Sequence, residues 1–356
     1  MKVLHIVYSG LGGGINVVKN LIHENNKKNV WIDHIILVGP KNFNVELDLK
    51  KNKIYHHKNI KHLPFLSWLK IFLKIIYFKP DIIFIHNHLL LPAILYKYFF
   101  KKKIIFVAHD SLSLFNNIKQ KIINKIVSIF FDVIIVLNKD VYSHFKKINK
   151  SQKIFIIKNG IQKSKLIKKK ITKSFNIGMA ARMNKYKLHE LMISALNTNI
   201  LEKKDIKCFF AGDGENYKKL NLITSKLNLN KKVNFLGNLK ENKLINFYKK
   251  LDLYIQATTS EGSSISVIEA FNYGIPVLAS NVSGLKDFIN KKNYIGYLFK
   301  NNKYNLARSI SFFFNMKKNE RQKYILNQKL FFIKNNDSSI MYRKYANLLN
   351  KEIKPY

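Results

Sequence analysis

Cysteine and proline are scarce in this chain of 356 residues. Cys208 is the single cysteine, so the chain forms no internal disulfide and no cysteine-based metal site, and a reducing compartment is its natural setting. With six prolines, 47% hydrophobic and 13% aromatic residues, it has enough apolar surface to bury, which excludes a disordered or low-complexity protein. The length predicts two packed domains.

Acidic residues are also scarce: 21 Asp and Glu stand against 63 Lys and Arg, which gives a formal net charge of +42. A nucleic-acid binder is the first interpretation of such an excess. However, only four of the basic residues are arginine, and lysine pairs recur along the whole chain instead of forming one block. This distribution favours a solvated surface, although the excess still predicts attraction to polyanions, either phosphorylated ligands or an anionic membrane.

No hydrophobic run is long. The first, residues 3–8, stops at Gly10 and is too short for a signal-peptide core. The most apolar stretch, Leu63 to Phe78, is too short to cross a bilayer. Its apolar and aromatic side chains surround a narrow stripe of Ser67, Lys70 and Lys74, which fits either a helix buried in the first domain or one that faces an anionic membrane. We expect a cytoplasmic protein that can be peripheral on the inner face of the cytoplasmic membrane.

Short apolar runs alternate with longer amphipathic stretches in both halves, which is typical of parallel strands joined by crossover helices. The predicted strands are 2–8, 33–38, 81–86, 103–108, 133–137 and 154–157 in the first half, and 175–180, 207–211, 233–236, 253–256, 276–279 and 296–299 in the second. The pattern predicts an N-terminal Rossmann-like domain (1–165), a C-terminal one (166–326) and a final helical segment (327–356). This segment could pack on either domain, and we assign it to the N-terminal domain.

A glycine turn, Gly10 to Gly14, follows the first strand and precedes a helical run. Such a turn lets the backbone approach a ligand, and the helix N-terminus favours an anion. The dinucleotide fingerprint fails, because Ile15 replaces its third glycine and the second strand ends without a carboxylate to hold a ribose. We therefore exclude a nicotinamide enzyme, and a tight turn without a ligand remains the alternative.

Arg182 and Lys187 follow the strand 175–180. Because arginine is rare in this chain, an arginine placed directly after a strand is less easily explained as an ordinary surface residue. Together the two side chains supply one planar fork and one point charge that can converge on a diphosphate. The alternative is a pair of ordinary surface residues.

The segment 258–277 has the most informative pattern. Ser263 or Ser264 can cap a short helix, Gly274 can end it in a left-handed conformation, and Pro276 prevents its continuation.

Two carboxylates flank the start of this helix. Glu261 lies in the loop before it, and Glu269 lies one turn past Ile265 on the same face. A capping role would explain Glu261, but Glu269 stands among apolar residues and is hard to explain as a surface position.

These motifs resemble the retaining GT-B glycosyltransferases of family 4, also called glycosyl transferases group 1, over most of the chain. The motifs that carry the resemblance are Gly12-Gly13, residues 81–86, His109-Asp110, Asn159-Gly160-Ile161, Arg182 with Lys187, residues 212–215, residues 235–237 and the Glu261/Glu269 segment. The resemblance implies the GT-B fold, which is two doubly wound Rossmann-like α/β domains facing a central cleft.

The resemblance also implies roles for individual residues. Arg182 and Lys187 correspond to the clamp on the donor diphosphate, Glu269 to the partner of the ribose hydroxyls, and Glu261 to the carboxylate that faces the donor sugar. His109 corresponds to a catalytic position beside sugar and acceptor. The remaining donor-binding positions that the resemblance implies are Gly12, Gly13, Gly212, Ser264, Ile265 and Ser266.

The resulting hypothesis is a hexosyl-transferring enzyme that moves a sugar from a UDP- or GDP-linked donor to a glycan or lipid-linked acceptor in surface polysaccharide or lipopolysaccharide biosynthesis. We expect no cofactor and no metal, because basic side chains and helix termini can stabilise the departing diphosphate. Specific nucleic-acid partners are not expected. The alternatives are a nucleotide-sugar 2-epimerase of related fold and a non-enzymatic polyanion or nucleic-acid binder.

Overall fold

A computed structural model describes residues 1–8, 13–39, 53–57, 64–86, 90–109, 111, 117–164 and 173–352. The chain divides into two compact units. Unit 1 comprises Met1–Gln162 with Asn336–Tyr356, and unit 2 comprises Lys163–Asn335.

Unit 1 is built on a parallel seven-stranded sheet with the strand order β3-β2-β1-β4-β5-β6-β7. Its strands are β1 (Lys2–Tyr8), β2 (Ile32–Val38), β3 (Lys53–His57), β4 (Ile82–His86), β5 (Lys103–Ala108), β6 (Val133–Val136) and β7 (Lys153–Ile156). Its helices are α1 (Gly13–Lys28), α2 (Pro64–Phe78), α3 (Leu90–Phe100), α4 (Ile118–Phe130), α5 (Lys139–Ile148) and α12 (Ser338–Glu352). The inner strands are continuous apolar runs because helices cover both faces of the sheet.

The two faces of this sheet have different helices. One face packs against α2, α3, α4 and α5, and the other packs against α1 and α12. The C-terminal helix α12 is held to α1 by the Tyr342 hydroxyl, which donates to Asn25 Oδ1 at 3.1 Å, and by Ser338 Oγ, which donates to Glu24 Oε1 at 2.7 Å. The expected start of the C-terminal segment, residue 327, lies inside a helix of unit 2, and the chain enters unit 1 at Asn336 instead.

Helix α2 is neither fully buried nor free of the sheet. Ser67, Ile71, Ile75 and Phe78 recur at helical spacing and are buried against the sheet, whereas most other apolar residues of α2 are exposed. The expectation that Ser67 belongs to a polar surface stripe with Lys70 is therefore wrong, because the helical period places Ser67 on the face of Ile71. None of the helices in the described ranges is long and apolar enough to cross a bilayer.

Unit 2 is built on a parallel six-stranded sheet with the order β10-β9-β8-β11-β12-β13. Its strands are β8 (Phe175–Ala180), β9 (Ile206–Ala211), β10 (Val233–Phe235), β11 (Leu253–Gln256), β12 (Val277–Ser280) and β13 (Tyr297–Phe299). Its helices are α6 (His189–Leu196), α7 (Tyr217–Lys226), α8 (Glu241–Lys250), α9 (Ile265–Tyr273), α10 (Lys303–Phe314) and α11 (Lys318–Asn335). The predicted two doubly wound α/β sheets are confirmed, and each predicted strand is present with its ends shifted by at most one residue.

Candidate functional site

The candidate site of unit 2 lies at the carboxyl ends of β8 and β11. These strands are adjacent although two strands and three helices separate them in the chain, so the connection order reverses between them. In open parallel sheets, ligands bind at such a switch point, where the loops after the two strands diverge. Arg182 and Lys187 follow β8, and Glu261 follows β11.

Lys187 and Glu261 form an ion pair in this structure. Lys187 Nζ lies 2.5 Å from Glu261 Oε2, and both side chains are mostly buried. Gln256, the last residue of β11, donates from Nε2 to the same carboxylate oxygen at 3.0 Å. The carboxylate is therefore fixed by two donors at the strand end.

The Lys187 loop is held against the chain after β11. The Leu188 amide donates to Ala257 O at 3.0 Å, and the Thr259 amide donates to Tyr186 O at 2.9 Å. His189 is buried below it, where burial lowers its pKa to about 4, so the ring is neutral and its Nδ1 can donate to Lys187 O at 3.2 Å. These contacts fix the backbone from which Lys187 reaches Glu261.

Glu269 occupies a desolvated position on α9. The Tyr248 hydroxyl, on α8, donates to Glu269 Oε2 at 2.7 Å. Burial raises the pKa of Glu269 to about 7, although the hydrogen bond from Tyr248 acts in the opposite direction. A carboxylate that is costly to ionise without a partner is well suited to accept hydroxyl groups of a ligand.

Helix α9 begins and ends as its sequence predicts. Ser264 is the N-cap, and its side chain accepts from the Val267 amide. Gly274 ends the helix with φ 69°, in the left-handed region that favours glycine. Ser266, in the first turn, donates its hydroxyl to Ala180 O at 2.8 Å, which ties the N-terminus of α9 to the end of β8. Ile265 is the first helical residue, so the N-terminal turn of α9 lies beside the switch point.

The loop that carries Arg182 rests on the glycine-rich loop after β9. Gly212 has φ 129°, and a Cβ there would lie 2.2 Å from Ala181 O, so only glycine permits this approach. The Met183 amide donates to Asp213 O at 2.9 Å. Arg182 itself is exposed. Gly212 thus shapes the Arg182 loop through its backbone.

Gly284 brings a second loop against Glu261. Its φ is 81°, and a Cβ there would lie 2.2 Å from Glu261 O. Any larger residue would displace the Glu261 loop.

The remaining predicted positions belong to unit 1 and are considered by themselves. His109 follows β5, and its Nε2 lies 2.8 Å from His86 Nδ1. Gly13 begins α1, and a Cβ on its neighbour Gly14 would lie 3.5 Å from the His109 ring. Gly12 lies outside the described residues.

The structure thus brings Lys187 into contact with Glu261. It also links Ser266 to Glu269, because the Tyr248 hydroxyl lies 3.3 Å from Ser266 O and donates to Glu269. Sequence reasoning missed Tyr248 and Gln256. The signal available for Gln256 was a polar residue at the end of the buried strand β11. No sequence signal pointed to Tyr248, because it lies on a different helix from Glu269. The described residues contain no group of three or more His, Cys, Asp or Glu side chains arranged to hold a metal ion.

Comparison with known proteins indicates the class. The profile of the family described as "Glycosyl transferases group 1" matches residues 161–331, which include most of unit 2. "Protein CapJ" of Staphylococcus aureus is 36% identical over 116 residues, which are 32% of this chain and 28% of CapJ. "O-antigen biosynthesis glycosyltransferase WclY" of Escherichia coli is 30% identical over 167 residues, 43% of this chain and 44% of WclY. The alignments thus span less than half the length of these relatives.

The fold of the whole chain is similar to that of solved glycosyltransferases. HepE from Anabaena, in complex with UDP and glucose, superposes with a TM-score of 0.84 at 17% sequence identity, over 99% of this chain and 100% of HepE. The two parallel α/β units are therefore of the GT-B type.

Proposed function

We propose that this protein is a retaining glycosyltransferase of the family 4 type, which transfers a hexosyl group from a nucleotide sugar to a glycan or lipid-linked acceptor in surface polysaccharide or lipopolysaccharide biosynthesis. The observation that carries the proposal is the grouping of Lys187, Glu261 and Glu269 at the switch point of unit 2. The name of WclY, an O-antigen biosynthesis glycosyltransferase, supports the polysaccharide context, and the UDP bound by HepE supports a uridine donor.

Each group has one task in this proposal. Arg182, Lys187 and the first amides of α9 hold the diphosphate, because two cations and a helix N-terminus complement its charge. Glu269 accepts the ribose hydroxyls, and Glu261 faces the sugar. His109, in unit 1, acts beside the sugar and the acceptor.

Stabilisation of the leaving group is the main contribution to catalysis in this proposal. When the bond between sugar and diphosphate breaks, negative charge grows on the departing phosphate oxygen. Donors that are already in place stabilise this charge more than the charge of the intact donor, which lowers the barrier. Retention follows from attack on the face that the diphosphate leaves, with a phosphate oxygen taking the acceptor proton, so no separate protein base is required.

The ion pair of Lys187 and Glu261 gives the site a ligand-dependent arrangement. In this structure the Glu261 carboxylate is paired with the Lys187 ammonium. A bound diphosphate competes for Lys187, and Glu261 then turns its acceptor oxygens to the sugar hydroxyls. Binding of the diphosphate and orientation of Glu261 are coupled in this way.

A screen of UDP-, GDP- and ADP-sugars by isothermal titration tests the proposal, with Lys187→Ala compared against Lys185→Ala. Lys185 is a matched control, because it is exposed on the same loop and its ammonium lies over the Tyr186 ring at 5.2 Å. We expect one class of nucleotide sugar to bind the parent and Lys185→Ala alike, and to bind Lys187→Ala weakly. A sugar nucleotide converted to its 2-epimer would favour the epimerase, and tight nucleic-acid binding at physiological salt would favour the polyanion binder.

We also propose that unit 1 docks on an anionic membrane surface through α2, α3 and α4. The three helices expose large apolar side chains, for instance Tyr98 at 82% and Ile118 at 73%. The exposed apolar residues of this surface are Phe65, Leu66, Trp68, Leu69, Leu73, Tyr77, Leu91, Leu95, Tyr98, Phe99, Phe100, Ile118, Ile122, Ile129 and Phe130.

These helices form one continuous surface with one sign of charge. Phe72 of α2 lies 6.4 Å from Phe99 of α3 between ring centroids, and Lys97 of α3 donates to Phe130 O at the end of α4. The three helices contain lysines but no Asp or Glu. Each lysine near an anionic bilayer contributes on the order of 1 kcal/mol, and the apolar side chains add insertion into the interface.

Sedimentation with vesicles tests the docking surface. We expect salt-sensitive binding to vesicles that contain anionic lipid, little binding to neutral ones, and reduced binding of the Lys70→Glu/Lys74→Glu variant. A matched control is Lys218→Glu/Lys226→Glu, which makes the same charge change on exposed positions of α7 in unit 2. Equal sedimentation with both kinds of vesicle, with neither at low salt, or an equal loss in the control would overturn this mode of docking.

A further inference from the structure

Four polar side chains cross the first sheet in a diagonal, and we call them the histidine row: Asp33, His5, His86 and His109. They lie on or directly after β2, β1, β4 and β5, which are neighbours in the sheet. From the strand register, each member is one strand across and two residues further toward the carboxyl edge than the one before. Because side chains alternate along a strand, all four project from the same face, the one that α1 and α12 cover.

The row is hydrogen-bonded from end to end. His109 Nε2 lies 2.8 Å from His86 Nδ1, His86 Nε2 lies 3.2 Å from His5 Nδ1, and His5 Nε2 lies 3.2 Å from Asp33 Oδ1. Asp33, His5 and His86 are buried, whereas His109 is half-buried at the end of the sheet. Two buried histidines, His5 and His86, thus connect a buried carboxylate to His109, the candidate catalytic residue of unit 1.

The buried end of the row is built to hold a carboxylate. Trp31 Nε1 donates to Asp33 Oδ1 at 2.7 Å, and Asn25 Nδ2 donates to Asp33 Oδ2 at 2.7 Å. Asn25 is itself fixed by the Tyr342 hydroxyl of α12 at 3.1 Å. N–H donors converge on both oxygens, so Asp33 is the acceptor at this end of the row.

The carboxylate of Asp33 fixes the direction of every bond in the row. It can only accept, so His5 donates from Nε2 and must accept at Nδ1 if its ring is neutral. The same argument makes His86 donate from Nε2 and accept at Nδ1. Burial and the neighbouring histidines hold the pKa of His86 well below its usual value, so the middle ring stays neutral and cannot donate at both nitrogens. The last ring, His109, is then left with its proton on Nε2.

We propose that Asp33, His5 and His86 are positioning residues that fix His109 as the Nε2–H tautomer and so present Nδ1 as an acceptor for a hydroxyl group of the sugar substrate. The inference rests on the proposed function for the identity of the ligand, whereas the tautomer itself is a property of unit 1 alone. Polarisation along the row strengthens the acceptor, because each donated bond moves electron density toward His109.

The direct test is the tautomer of His109 in the full-length protein, measured by ¹⁵N NMR of histidine-labelled chains and assigned with His109→Gln. We expect a protonated Nε2 and an unprotonated Nδ1 in the parent. Asp33→Asn should remove this preference, while His34→Gln should preserve it. His34 is the control because it is the buried histidine next to Asp33 on β2, but it faces the opposite side and stacks on Phe78 at 4.9 Å.

A second pair of variants serves if Asp33→Asn fails to fold. His5→Leu breaks the row, whereas His5→Gln keeps an amide that can donate to Asp33 and accept from His86. We expect loss of the preference in the first variant and partial rescue in the second. A proton on Nδ1 of His109 in the parent, or the same tautomer in all variants, would overturn the inference.

Kinetics separate this inference from the proposed function. Asp33→Asn should lower kcat about tenfold with little change in the KM for the nucleotide sugar, and it should add no further loss in a His109→Gln background. An equal loss with and without His109 would mean a merely structural role. If no nucleotide sugar is turned over at all, the proposed function fails while the NMR result still decides the tautomer.

Discussion

Nucleotide binding should depend on pH through Glu269, whose pKa burial raises to about 7. Ribose hydroxyls donate to the ionised carboxylate, so binding favours the deprotonated form and releases a proton. If only the ionised form binds, about a tenth of the protein is competent at pH 6 and about nine tenths at pH 8. The affinity for UDP should therefore rise about tenfold between these values.

The Glu269→Gln variant removes this titration. Its affinity should be lower than that of the parent at pH 8, and the ratio of the two affinities should shrink toward pH 6, because UDP's own ionisation contributes equally to both proteins. Isothermal titration in two buffers of different ionisation enthalpy measures the proton release. A constant ratio across this pH range would refute the assignment of Glu269 to the ribose.

The raised pKa of Glu269 also predicts how the stability of the fold depends on pH. A folded-state pKa of about 7, above the usual carboxyl value of 4.5, means that ionisation of Glu269 destabilises the ligand-free fold as the pH rises through this window. This pKa shift lowers the free energy of unfolding by roughly 3 kcal/mol at pH 8. Glu269→Gln should thus melt at a higher temperature than the parent at pH 8, and the difference should vanish near pH 4.

Three further predictions concern the groups around Glu269. Arg182→Ala and Lys187→Ala should each lower kcat roughly 100-fold, since loss of one preorganised donor to the leaving group costs about 3 kcal/mol; steady-state transfer rates measure this. Glu261→Gln should lower turnover but bind UDP at least as tightly as the parent, because Lys187 is then released for the diphosphate; titration with UDP gives the affinity. Tyr248→Phe should move the pH midpoint of UDP binding upward, because it removes the hydrogen bond that lowers the pKa of Glu269.

Two exposed charges near the site provide control variants for these predictions. Lys185→Ala and Glu190→Gln change exposed charges near the site, the latter in a surface pair with Lys219, and should leave binding and turnover unchanged. Near-normal kcat in a folded Arg182→Ala/Lys187→Ala double variant would exclude the diphosphate clamp. Weaker UDP binding in Glu261→Gln would show that the ion pair does not compete with the ligand.

The sequence alone was sufficient for the elements whose cause is local. Inner parallel strands such as β5 are buried on both faces and therefore appear as apolar runs. Helix α9 carries its own boundaries in Ser264 and Gly274, so its start beside Glu261 could be predicted without tertiary information. Strand β3, Lys53–His57, was missed because it lies at the sheet edge and has little apolar character.

The contacts that link distant elements could not be predicted. The histidine row depends on β1 lying between β2 and β4, which is a property of the strand order and not of any local pattern. His86 alone fits a structural hydrogen-bonding group, and only the register connects it to His5 and Asp33. The pKa of Glu269 likewise depends on burial next to Tyr248, which lies on α8.

We propose that the switch point of unit 2 holds a nucleoside diphosphate sugar through Lys187 and Glu269. The most direct measurement is isothermal titration of UDP-, GDP- and ADP-sugars into the parent, the Lys187→Ala/Glu269→Gln double variant and the Lys185→Ala control at physiological salt. We predict that one of these donors binds the parent and the control equally and that the double variant loses this binding. Binding of the same donor by the double variant with unchanged affinity, or binding of none of the donors by the parent, would contradict the account.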